Sequence, residues 1–243
     1  MSKEDEIIGY KEKLNALRNY CQEVRHDNAK TEECLLKLED VYIPLSGQDK
    51  SYLYNLASTH EELGDFYYDI KDYAKAEASY LQAKKFYANK FEENHENDKG
   101  REYNRSLLAY IQYKLMFVYG KNNSRAEQYD AMLAEALANF EVLYQKDKSF
   151  ESIIVNLRNR QGWRYLAKGE TDEAMKLFES SYQIDPKFSA PYLADGYNSK
   201  AYQYAKNKKY DKAIEAIDQA ISLQPNDANY YDSKGEIQLM NGN

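Results

Sequence analysis

A spacing of residues that recurs along the chain constrains its fold more than any other feature of the sequence. From Gly162, steps of three, nine, four and eight residues lead to Tyr165, Ala174, Phe178 and Pro186. The same steps from Ala201 lead to Tyr204, Ala213, Ile217 and Pro225. From Gly64 they lead to Tyr67, Ala76, Tyr80 and, where the proline is missing, Ala88; Gly235 begins the pattern once more. Three matches in register predict a tandem array of similar repeats.

The composition favours helices over strands. Good helix formers such as alanine, leucine, lysine and glutamate are frequent, whereas the 243 residues include only 10 Gly and 4 Pro. Two-residue hairpin signals between alternating apolar runs are absent from the sequence, which argues against a sheet protein. Helix signals predict eleven helices, to within about three residues at each end, near 4–25, 29–43, 50–70, 72–93, 101–120, 124–147, 150–168, 170–184, 189–207, 209–223 and 227–241.

These spacings resemble the tetratricopeptide repeat, whose signature runs Leu-Gly-x-x-Tyr, then Ala-x-x-x-Phe, then Pro. Residues 63–67 match its first part, and residues 172–178 and 211–217 match its second part. The resemblance implies an all-α fold, a right-handed superhelix of antiparallel helix pairs that forms an α-solenoid of irregular repeat lengths. Small residues let two helices approach, aromatic residues fill the gap, and proline ends the second helix. We therefore expect burial, where the two helices of a repeat cross, of Ala76, Ala174 and Ala213.

The domain organisation follows from the repeat. We expect residues 1–48 to form an N-terminal helical pair, either a cap or a degenerate repeat, and residues 49–243 to form the array. Its repeats span about 50–96, 97–148, 149–188 and 189–226, with a half repeat at 227–243. The surplus over the 34-residue repeat falls around residues 91–100 and 121–130, where we expect longer helices or loops. The half repeat is either a natural cap or a sign that the chain is cut from a longer protein; residues 241–243, which resemble the turn before a further helix, favour the cut.

Charge and apolar content disfavour two classes of partner. The 33 Lys+Arg and 40 Asp+Glu give a net charge of −7, which repels a phosphate backbone, so we expect no nucleic-acid partner. No stretch approaches the roughly 20 apolar residues that span a bilayer, and no apolar segment follows the amino terminus, so we expect no membrane partner and a cytoplasmic location. Cys21 and Cys34 are expected to be reduced, with a disulfide as the alternative.

No recognised catalytic or metal-binding motif occurs. His26, His60 and His95 are scattered, and His60-Glu61-Glu62 lacks the second histidine of a zincin motif. The sequence contains no Gly-rich phosphate loop, no Gly-x-Ser-x-Gly elbow and no paired-cysteine metal site. We therefore expect no enzyme activity, no cofactor and no metal.

The resemblance also implies where a partner binds, because in such proteins the first helix of each repeat lines a concave groove. Helical spacing places the residue after the small residue and the residue three before it on one side of that helix. The residues directly after are Asp65, Phe117, Trp163, Tyr202 and Glu236. The residues three before are Glu61, Tyr113, Asn159, Asn198 and Asp232. We expect the aromatic side chains to bind apolar groups and the asparagines to bind a peptide backbone; the alternative is that the aromatics fill contacts between neighbouring repeats.

The charges of these positions indicate the chemistry of the partner. Some relatives clamp acidic carboxyl termini of chaperones with basic residues and asparagines. Here the asparagines are present, but acidic residues occupy the ends in place of basic ones, which disfavours an acidic partner. We expect a scaffold that binds a protein or peptide of neutral-apolar or basic character, of unknown oligomeric state. The alternative is a regulatory or sensor segment of a longer signalling protein whose effector domain lies beyond Asn243.

Overall fold

The computed structural model describes residues 3–93 and 98–242, and these residues are helical with no strand among them. The α-helices are α1 Lys3–Glu23, α2 Asn28–Gln48, α3 Leu53–Asp69, α4 Tyr73–Glu93, α5 Asp98–Tyr119, α6 Ala126–Lys146, α7 Glu151–Ala167, α8 Thr171–Ile184, α9 Pro186–Lys206, α10 Tyr210–Leu223 and α11 Ala228–Met240. Short 3-10 helices precede α3, α6 and α7. The all-α fold expected from the sequence is confirmed.

The helices end close to where the sequence predicts, with one clear exception. We expected α2 to end at residue 43, before Pro44, but it continues to Gln48. Proline inside a helix removes one backbone hydrogen bond. Beyond it, however, Leu45 and Ser46 are buried, so the continuing turn is retained by packing despite the proline.

The chain divides into two compact units, an N-terminal unit that ends at Asn139 and a C-terminal unit that begins at Phe140. In the N-terminal unit, α1 to α5 each pack against the next helix in chain order. In the C-terminal unit, α7 to α11 do the same, and the first helices also touch one another, α7 against α9 and α9 against α11. The first helices of the C-terminal unit therefore form a continuous row.

Two glycines of the repeat signature, Gly64 and Gly162, allow close approach of an aromatic ring. A Cβ at Gly64 would lie 2.3 Å from Cδ1 of Tyr80, and a Cβ at Gly162 would lie 2.4 Å from Cε1 of Phe178. Real Cβ atoms do not approach other atoms this closely, so the ring occupies the space that any other residue would fill. The alanines at the crossings, which were predicted to be buried, are fully buried, which confirms the assigned register: Ala76, Ala174 and Ala213.

The tyrosine of the signature closes the turn between the two helices of a repeat. The carbonyl oxygens of Tyr67, Tyr165 and Tyr204 each accept a hydrogen bond from the N–H five residues later, at 2.8, 2.9 and 2.9 Å. The residue directly before each of these donors has a left-handed backbone: Lys71 at φ +66°, Gly169 at φ +78° and Lys208 at φ +57°. Glycine tolerates this conformation without steric cost. The same closure thus recurs in three repeats.

The extra length of the early repeats lies in their helices. α4, α5 and α6 contain 21, 22 and 21 residues, whereas α8 and α10 contain 14 each. The expectation of longer helices is therefore confirmed, and residues 94–97 of the first insertion lie outside the described residues.

A disulfide joins Cys21 of α1 to Cys34 of α2, with their Cα atoms 5.6 Å apart. The expectation of reduced thiols is therefore wrong. The antiparallel packing of α1 on α2 places the two side chains together, which their separation of 13 residues in sequence does not reveal. Disulfides persist mainly in oxidising compartments, so the cytoplasmic location stays a prediction that this bond does not support.

Removing this disulfide is expected to weaken the N-terminal unit. Replacing Cys21 and Cys34 with alanine should lower its free energy of unfolding by about 2–3 kcal/mol, because the unfolded chain regains the freedom of a short closed loop. Urea unfolding followed by circular dichroism checks this. The wild-type protein with a reductant should match the double variant, and the variant itself should not respond to the reductant. Two titratable thiols in the untreated native protein would contradict the assignment.

Candidate functional site

Six of the groove residues expected from the sequence lie on the three first helices of the C-terminal unit. α7 carries Asn159 and Trp163, α9 carries Asn198 and Tyr202, and α11 carries Asp232 and Glu236. Within each pair the residues are four apart, so they lie one above the other on the same side of their helix. Because α9 touches both α7 and α11, the three pairs are neighbours.

Trp163 is the more open of the two aromatic residues in these three pairs, with 47% of its surface exposed. Its neighbour Gly162 faces the ring of Phe178, so the α7–α8 contact is made by the glycine and leaves the indole at the surface. Tyr202 is less exposed, and its hydroxyl donates a hydrogen bond of 2.6 Å to Oε2 of Glu236. Burial and the bond to Glu236 raise the pKa of Tyr202. Trp163 therefore offers apolar surface, while Tyr202 also links α9 to α11.

The two asparagines hold carbonyl oxygens that lack a hydrogen-bond partner among the described residues. Asn159 is only 1% exposed; its Nδ2 donates to Oγ of Ser189 at 3.2 Å, but its Oδ1 is buried and accepts nothing. Oδ1 of Asn198 is likewise buried without a donor. An unsatisfied buried acceptor costs about 1–3 kcal/mol, and native structures contain few of them. A donor that reaches either oxygen would remove this cost.

The groove candidates of the N-terminal unit, Glu61 and Asp65, are held in a polar network. Nζ of Lys114 lies 2.7 Å from Oε1 of Glu61 and 2.7 Å from Oδ2 of Asp65. The hydroxyls of Tyr80 and Tyr87 donate to Asp65 at 2.6 Å and to Glu61 at 3.1 Å. Burial lowers the pKa of the Lys114 ammonium, but the hydrogen bonds with the two carboxylates more than offset this and leave it above the ordinary value. Lys114 thus offsets one of the two negative charges of this pair, and the tyrosine hydroxyls give both carboxylates further hydrogen bonds.

Tyr113 and Phe117 lie on the same helix as Lys114 and touch each other, with ring centroids 4.8 Å apart and planes at 89°. Phe117 lines a cleft of about 310 Å³ together with Asp65, Tyr68, Tyr80 and Lys114. The two aromatic side chains are partly buried, so Phe117 both packs within the unit and lines this cleft.

Sequence reasoning missed Lys114, because it considered the positions one after and three before the small residue but not the position two before. It also missed the tyrosine hydroxyls that reach the acidic residues. The sequence held one signal for the bond between Tyr80 and Asp65. The aromatic residue of the second helix is a tyrosine in the repeat where an acidic residue follows the glycine of the first helix.

The described residues contain no group of three or more His, Cys, Asp or Glu side chains placed to hold a metal ion. None of the helices they form is both long and apolar enough to span a bilayer.

Several solved structures of repeat proteins are similar to this chain at low identity. YrrB, described as a TPR protein with an unusual peptide-binding site, is 19% identical, with 90% of this chain and 98% of that chain covered and a TM-score of 0.43. A variant of a putative kinesin light chain from Podospora anserina, with nearly identical TPR-like repeats, is 18% identical, with 92% and 97% covered and a TM-score of 0.42. A TPR repeat protein from Bacteroides fragilis is 14% identical, with 93% and 98% covered and a TM-score of 0.38. No curated protein matches the chain.

Family models of the tetratricopeptide repeat match three stretches of the sequence, at residues 57–90, 155–188 and 194–227. These stretches contain the three signatures that begin at Gly64, Gly162 and Ala201, and the structure places in each the close helix crossing on which the signature depends. Residues 97–148, which we assigned to a further repeat, are matched by neither model. The chain therefore belongs to the tetratricopeptide-repeat family.

Proposed function

We propose that the C-terminal unit binds an extended peptide segment of a partner protein along the first helices α7, α9 and α11. Tetratricopeptide repeats serve as scaffolds for protein interaction. The observation that carries it is the exposed Trp163, one turn from Asn159 on α7, in a row where the buried carbonyl oxygens of Asn159 and Asn198 have no donor among the described residues.

Each feature corresponds to a need of an extended peptide. Its backbone presents N–H groups that are left without partners outside a sheet, and these are the donors that Asn159 and Asn198 require. Its apolar side chains lose water against an exposed indole, and tryptophan is among the residues that most often dominate a binding interface. The row is therefore suited to a backbone contact flanked by an apolar contact.

Charge favours a neutral-apolar or basic peptide. Asp232 and Glu236 lie at the α11 end of the row, and Asp232 is exposed. Acidic residues attract a basic segment at long range and repel an acidic one, an effect that weakens with salt. In the N-terminal unit, by contrast, Lys114 offsets Glu61 and Asp65, so those acids contribute less attraction than their sequence positions alone suggest.

The experiment is a selection from a random peptide library displayed on phage, with the full chain as bait, followed by titration of synthetic copies of the selected peptides. Trp163 is the only tryptophan, so its fluorescence reports binding directly. We expect selected sequences to be rich in apolar and basic residues and poor in Asp and Glu. Replacing Trp163 and Tyr202 with alanine should weaken binding at least about 30-fold, the equivalent of a 2 kcal/mol hot spot; anisotropy of labelled peptides serves for this variant.

The matched control is Tyr103→Ala, which removes another exposed aromatic side chain, on α5, and should leave binding unchanged. Thermal unfolding of the double variant separates binding from packing. If the double variant unfolds, the aromatics serve to pack the repeats and the alternative of the sequence analysis holds. If it stays folded and binds the selected peptides as before, the site lies elsewhere.

A further inference from the structure

The disulfide between Cys21 and Cys34 lies beside two cavities whose walls come from α1, α2 and α3. The smaller cavity measures about 210 Å³ and the larger about 360 Å³. Cys21 lines both of them, whereas Cys34 lines neither. Cys21 is also partly exposed, while Cys34 is fully buried. The cavities therefore give a small molecule a route to Cys21 but not to Cys34.

Two arginines stand on either side of Cys21 in the wall of the smaller cavity. Arg18 lies one helical turn before Cys21 in α1, and Arg25 lies in the turn that follows α1. Glu62 of α3 is the one acidic residue among those that line this cavity, so positive charge prevails there. A partly exposed cysteine near arginine is reactive, because the positive charge attracts an incoming thiolate and stabilises the thiolate that forms.

The larger cavity has the opposite balance of charge. Arg25 lines it together with three acidic residues of α3, Glu62, Asp65 and Asp69. Lys114 pairs with Asp65, but the other two acidic residues still outnumber Arg25. A thiolate is therefore repelled from the larger cavity and attracted to the smaller one, which has room for a thiol of low molecular mass.

Apart from the disulfide, few contacts hold α1 against α2. Among the side chains of α1 that the structure describes, Leu14 alone is buried, and Leu17 is partly exposed. The guanidinium of Arg18 lies 5.5 Å from the ring centroid of Tyr42 on α2. A helix in a protein owes most of its stability to packing, so the covalent bond at Cys21 contributes a large part of what retains α1.

We propose that Cys21 and Cys34 form a redox-active disulfide, which a thiol of low molecular mass opens by attack on Cys21, and whose opening releases α1 from α2. The incoming thiolate forms a new disulfide with Sγ of Cys21 as the bond to Cys34 breaks. Sγ of Cys34 leaves as a thiolate, takes up a proton from water and can then donate to the carbonyl oxygen of Leu17, which lies 3.6 Å away. A second thiol displaces the first from Cys21, so the two thiols become a disulfide and both cysteines become thiols.

Opening the bond uncovers part of the surface on which α1 rests. Leu38 and Tyr42 of α2 and Thr59 of α3 are buried and line the smaller cavity opposite α1. Solvent reaches these side chains when α1 leaves, so the N-terminal unit has a cover that responds to thiols. The proposal is independent of the peptide site at Trp163, which lies in the other compact unit.

The first experiment determines which sulfur is attacked. The native protein is treated with 2-mercaptoethanesulfonate, the exchange is stopped with N-ethylmaleimide at mildly acidic pH, and the modified cysteines are mapped by mass spectrometry. We expect at least about tenfold more thiol adduct on Cys21 than on Cys34, with N-ethylmaleimide on Cys34, because access decides which sulfur reacts. An adduct mainly on Cys34, or a bond that the thiol does not open in the folded protein, would overturn the proposal.

The charge of the thiol tests the route through the smaller cavity. At equal thiolate concentration and low salt, 2-mercaptoethanesulfonate should open the bond several-fold faster than the cationic thiol cysteamine. Arg25→Gln should reduce this preference. Lys13→Gln is the matched control, because Lys13 is exposed on the same helix and lines neither cavity, and it should keep the preference. Equal preferences in the two variants would refute this route.

Hydrogen exchange followed by mass spectrometry tests the release of α1. With dithiothreitol, residues 13–23 should exchange about 30-fold faster or more, because the constraint of a short closed loop is lost, while α10 should exchange as before. A variant with Cys21→Ser and Cys34→Ser should show the fast exchange without reductant and should not respond to it. Reduction of the bond with unchanged exchange in α1 would show that other contacts retain the helix, and the proposed release would be wrong.

Discussion

Replacing Phe178 with alanine is expected to lower the free energy of unfolding of the C-terminal unit by about 3–5 kcal/mol. The ring is fully buried and lies against two glycines, Gly162 of α7 and Gly196 of α9, so it fills the space between three consecutive helices. Its centroid lies 6.2 Å from that of Tyr192. Because Gly162 and Gly196 present only backbone, no side chain at those two positions can move in to fill the cavity that the ring leaves.

Urea unfolding followed by Trp163 fluorescence measures this effect within the C-terminal unit. Phe188→Ala is the matched control, because Phe188 also lies beside Tyr192 but is exposed; its loss should cost less than about 1 kcal/mol. The same contact can be disturbed from its other side with Gly162→Ala, where the methyl group would clash with the ring and outweigh the gain in helix propensity. A Phe178→Ala variant as stable as the wild type would refute the assigned packing register.

The repeat register was predictable because it depends on local spacing and residue size. The small residues at the crossings, the aromatics opposite them and the turn tyrosines each have a steric role that residue type alone indicates. The helix boundaries followed for the same reason, except at Pro44, where the burial of Leu45 beyond the proline outweighs the local signal. Burial of this kind depends on the fold and has no local signature.

The candidate site was less predictable, because the charge of a position says nothing about its partner in space. From the sequence, Glu61 and Asp65 were expected to form an unpaired acidic end of the groove. In the structure Lys114, about 50 residues away in sequence, forms hydrogen bonds with both. The disulfide was missed because the sequence likewise does not show that Cys21 and Cys34 lie next to each other in space. Asn159 and Asn198 were chosen for their ability to hydrogen-bond a peptide, but only the structure shows that their carbonyl oxygens lack a donor among the described residues. Whether a peptide supplies that donor stays a prediction.

Four buried tyrosines whose hydroxyls donate to carboxylates are expected to make the protein unstable at alkaline pH. The pairs are Tyr67 with Glu32, Tyr80 with Asp65, Tyr87 with Glu61 and Tyr230 with Asp195. Burial raises the pKa of each tyrosine, and the hydrogen bond to the carboxylate and the charge of that carboxylate raise it further. The pKa of Tyr67 rises to about 12, and the pKa values of the other three tyrosines rise further above the ordinary value. Each hydroxyl therefore stays protonated in the folded state at a pH where it ionises in the unfolded chain.

The direction of the pH dependence follows from this difference. A group whose pKa is raised by folding stabilises the fold fully below its unfolded pKa, about 10 for tyrosine, and this stabilisation is lost as the pH rises towards the folded value. Each tyrosine then contributes a loss of about 1.4 kcal/mol at pH 11. Lys114, whose pKa is also raised, acts in the same direction. These groups should thus change the free energy of unfolding little up to about pH 9.5, and they should lower it steeply above pH 10.

The two compact units should respond unequally. Tyr67, Tyr80 and Tyr87 lie in the N-terminal unit, whereas Tyr230 lies in the C-terminal unit, so these four hydroxyls are expected to cost the two units about 4 and about 1.4 kcal/mol at pH 11. Urea unfolding at pH 8, 10 and 11, followed by circular dichroism for the whole chain and by Trp163 fluorescence for the C-terminal unit, separates them. A variant with phenylalanine at residues 80 and 87 should lose about 3 kcal/mol less than the wild type between pH 8 and pH 11, because the hydroxyls of Tyr80 and Tyr87 are gone. An equal loss in this variant would show that other groups control the alkaline transition.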